Sequence, residues 1–154
     1  MAWKREPHMI EAGDWEDRSG RPRALVENPD AAQLWAYAEI LREAGYEVAT
    51  CAGEHPNGTD LCPLIETGHC SLVEGADVVV STCSVGRGDR LLAVLGLTGS
   101  TPVVFEAPKP DFERYAHLAE NATLVPMPVT RRALVDAVAA ASAEATEGVP
   151  PPAA

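Results

Sequence analysis

A short apolar run in the middle of the chain, Val-Val-Val at residues 78–80, lies between Gly75 and a polar segment at residues 81–84. Three consecutive β-branched residues favour extended backbone, and the run is too short for a buried helix. A segment that is apolar on both faces is typical of a central strand in a parallel sheet covered on both sides. Functional groups in such sheets follow the carboxyl ends of the strands, so a site is expected from Ser81 onward.

Apolar periodicity and turn residues divide the sequence into strands that alternate with helices. Short extended runs are predicted at residues 23–27, 46–51, 78–81, 103–105 and 122–125. Helices are predicted at residues 31–44, 89–97, 112–120 and after 130, with a short or irregular helix within 61–73. Asp30, Asp89, Asp111 and Thr130 are candidate helix caps, and Gly45 is a helix stop. The alternation predicts an α/β fold: a flavodoxin-like, doubly wound, five-stranded parallel sheet with strand order 2-1-3-4-5.

Length and composition indicate one domain that does not bind nucleic acid. The 154 residues suggest a flexible arm at 1–22, a folded domain at 23–145 and a disordered Pro/Ala tail at 146–154. A net charge of −11 argues against a nucleic-acid surface, which would have to be basic. No apolar stretch is long enough to span a membrane, and residues 1–8 have no signal-peptide core. The expected compartment is therefore the cytoplasm.

Four segments, in this order and spacing, resemble the response-regulator receiver domain of the CheY-like family. They are Gly-Tyr-Glu-Val at residues 45–48, Ala-Asp-Val-Val-Val at 76–80, Thr-Pro-Val-Val-Phe at 101–105 and Val-Pro-Met-Pro-Val-Thr at 125–130. The resemblance extends over residues 23–141. It implies the flavodoxin-like fold already predicted from the alternation of strands and helices.

The resemblance also implies a phosphorylation site, which this sequence departs from. Receivers accept phosphate on an Asp at the end of strand three and bind magnesium with acids after strand one. A hydroxyl after strand four and a Lys after strand five contact the phosphoryl group. The corresponding positions here are Ser81 for the acceptor, Glu27 and Asp30 for the acids, Glu106 or Ala107 for the hydroxyl, and Met127 for the lysine.

These replacements remove the chemistry of an acyl phosphate. A serine hydroxyl at Ser81 forms no acyl phosphate, and Met127 supplies no ammonium to neutralise phosphoryl charge. Magnesium also loses a hard oxygen ligand on strand three. The resemblance therefore implies a pseudo-receiver, a signalling module that is not an enzyme, needs no cofactor and acts by protein–protein interaction.

In receivers, the face formed by helix four, strand five and helix five contacts an output partner or a second protomer. Carried over to this sequence, the resemblance assigns that face to Tyr115, Leu118, Met127 and Val135. The expected partner is another protein or a second copy of the chain.

The cysteines offer a different interpretation on the same fold. Cys51, Cys62, Cys70 and Cys83 lie in or beside the region between strands two and three, which also contains His55 and His69. Converging thiols could hold zinc or an iron–sulfur cluster, or two of them could form a redox switch. No Cys-x2-Cys pair is present, and the alternative is that these are buried or inert thiols.

An enzymatic interpretation has less support in the sequence. Glu106 follows strand four and could be a general base, a partner for Arg87 or Arg90, or a solvated loop charge. Ser81 could be a nucleophile, but no Gly-x-Ser-x-Gly elbow surrounds it.

Overall fold

The computed structural model describes Trp15 and residues 20–51, 67–82, 101–116 and 122–147, with side chains in the last segment described through residue 143. The strands are β1 Arg23–Glu27, β2 Glu47–Cys51, β3 Val78–Thr82, β4 Val103–Pro108 and β5 Ala122–Met127. The helices are α1 Ala31–Glu43, α2 Ser71–Gly75, α3 Phe112–Tyr115 and α4 Arg131–Glu147, with a 3-10 turn at Lys109–Asp111 before α3.

The five strands form one parallel sheet in the order β2-β1-β3-β4-β5, which confirms the predicted topology. Residues 78–81 of β3 are all buried, as expected for a central strand that is covered on both faces. Strands β3, β4 and β5 each continue further than predicted, to Thr82, Pro108 and Met127. These extensions bring more side chains to the carboxyl edge of the sheet.

The helices cover opposite faces of the sheet because alternate strand residues point to opposite sides. On one face α1 and α4 pack on the sheet, through Leu34, Tyr37, Leu41, Leu134, Val138 and Ala141 over Val26, Val80 and Val104. On the other face α2 and α3 contribute Leu72, Val73 and Tyr115 over Leu25, Val79, Phe105 and Ala107.

Local signals in the sequence set the ends of the long helices. The Asp30 carboxylate accepts a hydrogen bond from the Gln33 backbone N–H at 2.9 Å and caps α1. The Thr130 hydroxyl accepts one from the Ala133 N–H at 3.1 Å at the start of α4. Gly45, with φ of 101°, ends α1 in the left-handed region that glycine adopts without strain. Asp111, in contrast, makes no side-chain cap before α3, and Asp89 lies outside the described residues.

The predicted flexible arm is anchored at Trp15. Its indole N–H donates a hydrogen bond of 2.9 Å to the Leu72 carbonyl of α2, and the Arg23 guanidinium lies 5.1 Å from the ring centroid. Helix α4 also continues to Glu147, past the predicted domain end at residue 145. None of the described helices combines the length and the apolar character needed to cross a membrane.

Candidate functional site

The carboxyl edge of the sheet presents polar residues on both faces. Glu27 and Ser81 follow Leu25 and Val79 by two residues, so they lie on the α2/α3 face. Asn28, Thr82 and Glu106 follow Val26, Val80 and Val104 in the same way and lie on the α1/α4 face. The edge therefore has two separate polar groups, divided by the sheet itself.

On the α2/α3 face, Ser81 and Glu27 form a pair. The two residues are opposite each other in the register of β1 and β3, and the Ser81 hydroxyl donates to Glu27 Oε2 at 3.4 Å. Ser81 is 2% exposed. The predicted acceptor position and one predicted acid are thus brought together by the fold.

Asp30, the second predicted acid, does not join this pair. It lies at the exposed start of α1, where its carboxylate caps the helix. A hydrogen bond to the helix end competes with any other role for this carboxylate, so the two acids suggested by the resemblance serve different structural tasks.

On the α1/α4 face, Asn28 is the centre of a hydrogen-bonded cluster. Its side-chain amide donates to Gln33 Oε1 at 3.0 Å and to Thr82 Oγ1 at 3.2 Å, and its carbonyl oxygen accepts from the Asp30 N–H at 2.9 Å. The residue is 1% exposed, and both polar atoms of its side chain have hydrogen-bond partners, as buried polar groups require. Asn28 joins the ends of β1 and β3 to the start of α1.

Glu106 lies beside this cluster but outside its hydrogen bonds. It pairs with Thr82 in the register of β3 and β4, is 1% exposed, and neither carboxyl oxygen has a hydrogen-bond partner among the described residues. Burial raises the pKa of Glu106, and the nearby Tyr37 hydroxyl opposes that rise. Burial, followed by the effect of Glu106, raises the pKa of Tyr37. The expectation that Glu106 is a solvated loop charge is therefore wrong.

Sequence analysis missed Asn28 and Tyr37 as members of this edge, and it expected a site from Ser81 onward without assigning a role to Thr82. Asn28 and Thr82 each come one residue after the position that the resemblance assigned, and the pleat turns that single residue onto the opposite face. The alternation of Val26 with Asn28 and of Val80 with Thr82 was the available signal. Tyr37 gave no such signal, because its place at this edge depends on the packing of α1 on the sheet.

Of the remaining predicted residues, Met127 lies at this edge, because it ends β5 opposite Pro108, and it is half-buried. Val135, on α4, is half-buried as well. Tyr115 is 4% exposed and packs edge-to-face on Phe105, with ring centroids 5.4 Å apart. Its assignment to an accessible face is corrected accordingly: Tyr115 is a core residue. Leu118 lies outside the described residues, as do Arg87 and Arg90.

Two of the four cysteines can be placed. Cys51 and Cys70 are half-buried, and both pack against the cluster between the sheet and α2. Cys62 and Cys83 lie outside the described residues, as does His55, while His69 makes a 3.2 Å pair with Glu74 at the surface. Within the described ranges, no three His, Cys, Asp or Glu residues are grouped as metal ligands. The proposed thiol or metal site stays a prediction.

No protein-family model and no curated protein matches the sequence, but solved receiver domains share its fold. A response regulator receiver domain protein from Clostridium thermocellum has a TM-score of 0.63 and 20% identity, covering 83% of this chain and 99% of that one. A CheY-like receiver domain protein from Methanospirillum hungatei JF-1 has a TM-score of 0.61 and 19% identity, covering 84% of this chain and 99% of that one. A putative pilus assembly protein from Burkholderia thailandensis E264 has a TM-score of 0.61 and 17% identity, covering 79% of this chain and 98% of that one. The chain therefore has the CheY-like, flavodoxin-type fold that its sequence motifs implied.

Proposed function

We propose that this chain is a receiver-like signalling module that is not phosphorylated at the sheet edge and works through protein contacts. The observation that carries the proposal is the end of β3, where Ser81 faces one side of the sheet and Thr82 the other. Both side chains are neutral hydroxyls. Whichever face corresponds to the acceptor site of a receiver, no carboxylate of β3 is available there to form an acyl phosphate.

The residues around these hydroxyls support the same proposal. Ser81 already donates to Glu27, and Thr82 already accepts from Asn28. Met127 occupies the end of β5, where the resemblance calls for a lysine, so this position offers no ammonium. The proposal gives the chain no catalytic step and no resident cofactor, and its expected compartment is the cytoplasm.

Acetyl phosphate with magnesium tests the chemical part of this proposal. Intact-mass measurement should detect no added phosphoryl group on this chain under conditions in which an ordinary receiver domain gains one. A phosphoryl adduct that disappears on treatment with hydroxylamine, which cleaves acyl phosphates, would contradict the proposal.

The contact surface in this proposal is the face around β5 and α4, where Met127 and Val135 remain half-buried and apolar. A second copy of the chain is the partner that can be tested first. We expect sedimentation to show concentration-dependent self-association that Val135→Glu weakens, whereas Arg132→Glu, at an exposed position of the same helix, weakens it less. Equal sedimentation of all three proteins as monomers would count against a second copy as the partner.

A cysteine-based sensor is a second candidate, favoured by the packing of Cys51 and Cys70 against one cluster. In this alternative the two thiols are oxidised to a disulfide by a mild oxidant, with loss of two hydrogen atoms. Intact mass before and after oxidation, with Cys51→Ser as the control, would reveal that loss. Elemental analysis of protein purified without chelator tests the zinc or iron–sulfur form.

A further inference from the structure

The buried carboxyl of Glu106 has no role in the proposed function and no compensating partner in the described structure. It projects from β4 on the same face as Val104, beneath α1, between Thr82 of β3 and Val125 of β5 in the sheet register. A carboxylate in such a place would lose its hydration, and the Tyr37 hydroxyl, which acts to lower the pKa, does not offset that loss. Burial of an unpaired charge is so unfavourable that the group normally takes up a proton instead.

The surroundings of Glu106 contain few groups that could favour its ionised form over its protonated form. Tyr37 faces it from α1, and its hydroxyl also holds its proton because burial and Glu106 raise its pKa. Asp30, which acts on Tyr37, lies at the exposed start of the same helix. The register neighbours Thr82 and Val125 do not titrate, and neither do Asn28 at the same edge and Leu134 in the core beneath α4. No described residue brings a positive charge to Glu106.

We propose that Glu106 is a proton-binding switch: it is uncharged in the closed arrangement seen here, and its ionisation loosens the packing of α1 on the carboxyl edge of the sheet. The inference goes beyond the proposed function, since it requires neither phosphate nor a partner protein. Because Asn28 and Thr82 share this edge with Glu106, the charge of Glu106 is coupled to the junction of β1, β3 and α1.

The direction of the effect follows from linkage. The folded state raises the pKa of Glu106 above its ordinary value of 4.5, so the folded state binds the proton more tightly than the unfolded state. The stabilisation from neutral Glu106 is fully present below the unfolded pKa and is lost as the pH rises through the folded pKa. Between the unfolded and the folded pKa, opening releases one proton and becomes about tenfold more favourable per pH unit, and above the folded pKa both states are ionised and the equilibrium levels off.

Carbon-13 NMR of the glutamate carboxyl groups tests the protonation state in the intact chain. We expect one carboxyl, absent from the spectrum of Glu106→Gln, to titrate at clearly higher pH than the others. Glu113→Gln, which replaces an exposed glutamate on α3, should leave that resonance in place. If Glu106→Gln does not fold, Glu106→Asp serves for the assignment, since it removes the glutamate resonance and keeps a carboxyl. A Glu106 resonance that titrates with those of the exposed glutamates would overturn the proposal.

Amide hydrogen exchange tests the switch itself. With intrinsic exchange rates divided out, protection at residues 104–107 should fall with rising pH in the wild type, approaching tenfold per pH unit between the unfolded and the folded pKa of Glu106 and levelling off above it. The same residues in Glu106→Gln should keep constant protection, while Glu113→Gln should behave as the wild type. Protection that falls equally in Glu106→Gln and the wild type would show that another group drives the change and would refute the switch.

Discussion

At the scale of single residues, the face of the sheet on which each side chain lies determines its hydrogen-bond partners at the carboxyl edge. Ser81 and Glu27 form one pair, and Asn28 with Thr82 forms another on the opposite face. The presence of polar residues at the carboxyl ends of β1 and β3 could be predicted from the sequence, because both apolar runs are followed directly by polar residues. Their division between two faces depends on how far β3 continues, and β3 extends two residues past its apolar run, one more than predicted.

Among the polar residues of this edge, Asn28 should cause the largest loss of stability when its side chain is removed. Asn28→Ala deletes two donated hydrogen bonds and one accepted bond at a site that is 1% exposed. We expect a loss of about 2–4 kcal/mol in the free energy of unfolding, measured with urea. Gln33→Ala removes only one of these bonds, from an exposed side chain, and should cost about 1 kcal/mol or less. Equal losses in both variants would contradict the central place given to Asn28.

Met127→Lys should lower the pKa of Glu106. Met127 follows Val125, the register neighbour of Glu106, by two residues and lies on the same face of the sheet. A lysine there would place its ammonium within reach of the carboxyl and favour the ionised form. Carboxyl NMR titration should show the Glu106 midpoint shifted down in Met127→Lys and unchanged in Met127→Leu. The same midpoint in both variants would mean that the two side chains do not interact.

At the scale of elements, local sequence determines helix ends well but not docking contacts. Asp30, Thr130 and Gly45 were predicted as helix boundaries from residue type alone, and each has that role. Trp15 gave no such signal, because its hydrogen bond to Leu72 spans 57 residues of the chain. The burial of Tyr115 was likewise decided by packing between elements, here on Phe105 of β4.

The two helix caps can be tested together. Asp30→Ala and Thr130→Ala each remove a side-chain acceptor from the first turn of a long helix, so each should cost about 0.5–2 kcal/mol in stability to urea. Asp136→Ala is the matched control, because its 3.7 Å pair with Arg132 lies on an exposed part of α4 and contributes little. Cap variants no less stable than Asp136→Ala would show that tertiary packing alone fixes the helix ends.

Gly75 should be required for Trp15 to dock. A Cβ at this position would lie 2.4 Å from Trp15 Cδ1, so Gly75→Ala must displace the indole or shift the end of α2. We expect about 1–3 kcal/mol of destabilisation in urea unfolding. In a Trp15→Ala background the same substitution should be near neutral or slightly stabilising, since alanine is the better helix former. A cost that persists without Trp15 would mean that something else fills the space beside Gly75.

At the scale of the whole molecule, the fold was predictable because alternation, the valine run and the turn residues all indicate one topology. The five strands and their order match the prediction, and β1 coincides with it residue for residue. The site was less predictable. The resemblance indicated the positions at which receivers carry a phosphorylation centre, but the buried Glu106 and its contact with Tyr37 depend on packing between α1 and β4.

A backbone amide NMR titration with acetyl phosphate and magnesium examines the whole proposal in solution. Because the donor stays in excess, even a short-lived acyl phosphate would accumulate to a steady state and perturb nearby amides. We predict no saturable shifts at residues 27–28, 81–82 and 106–107 as the donor is added. Saturable shifts centred on those residues, reversed as the donor is consumed, would contradict the proposal that this receiver-like fold works without phosphorylation.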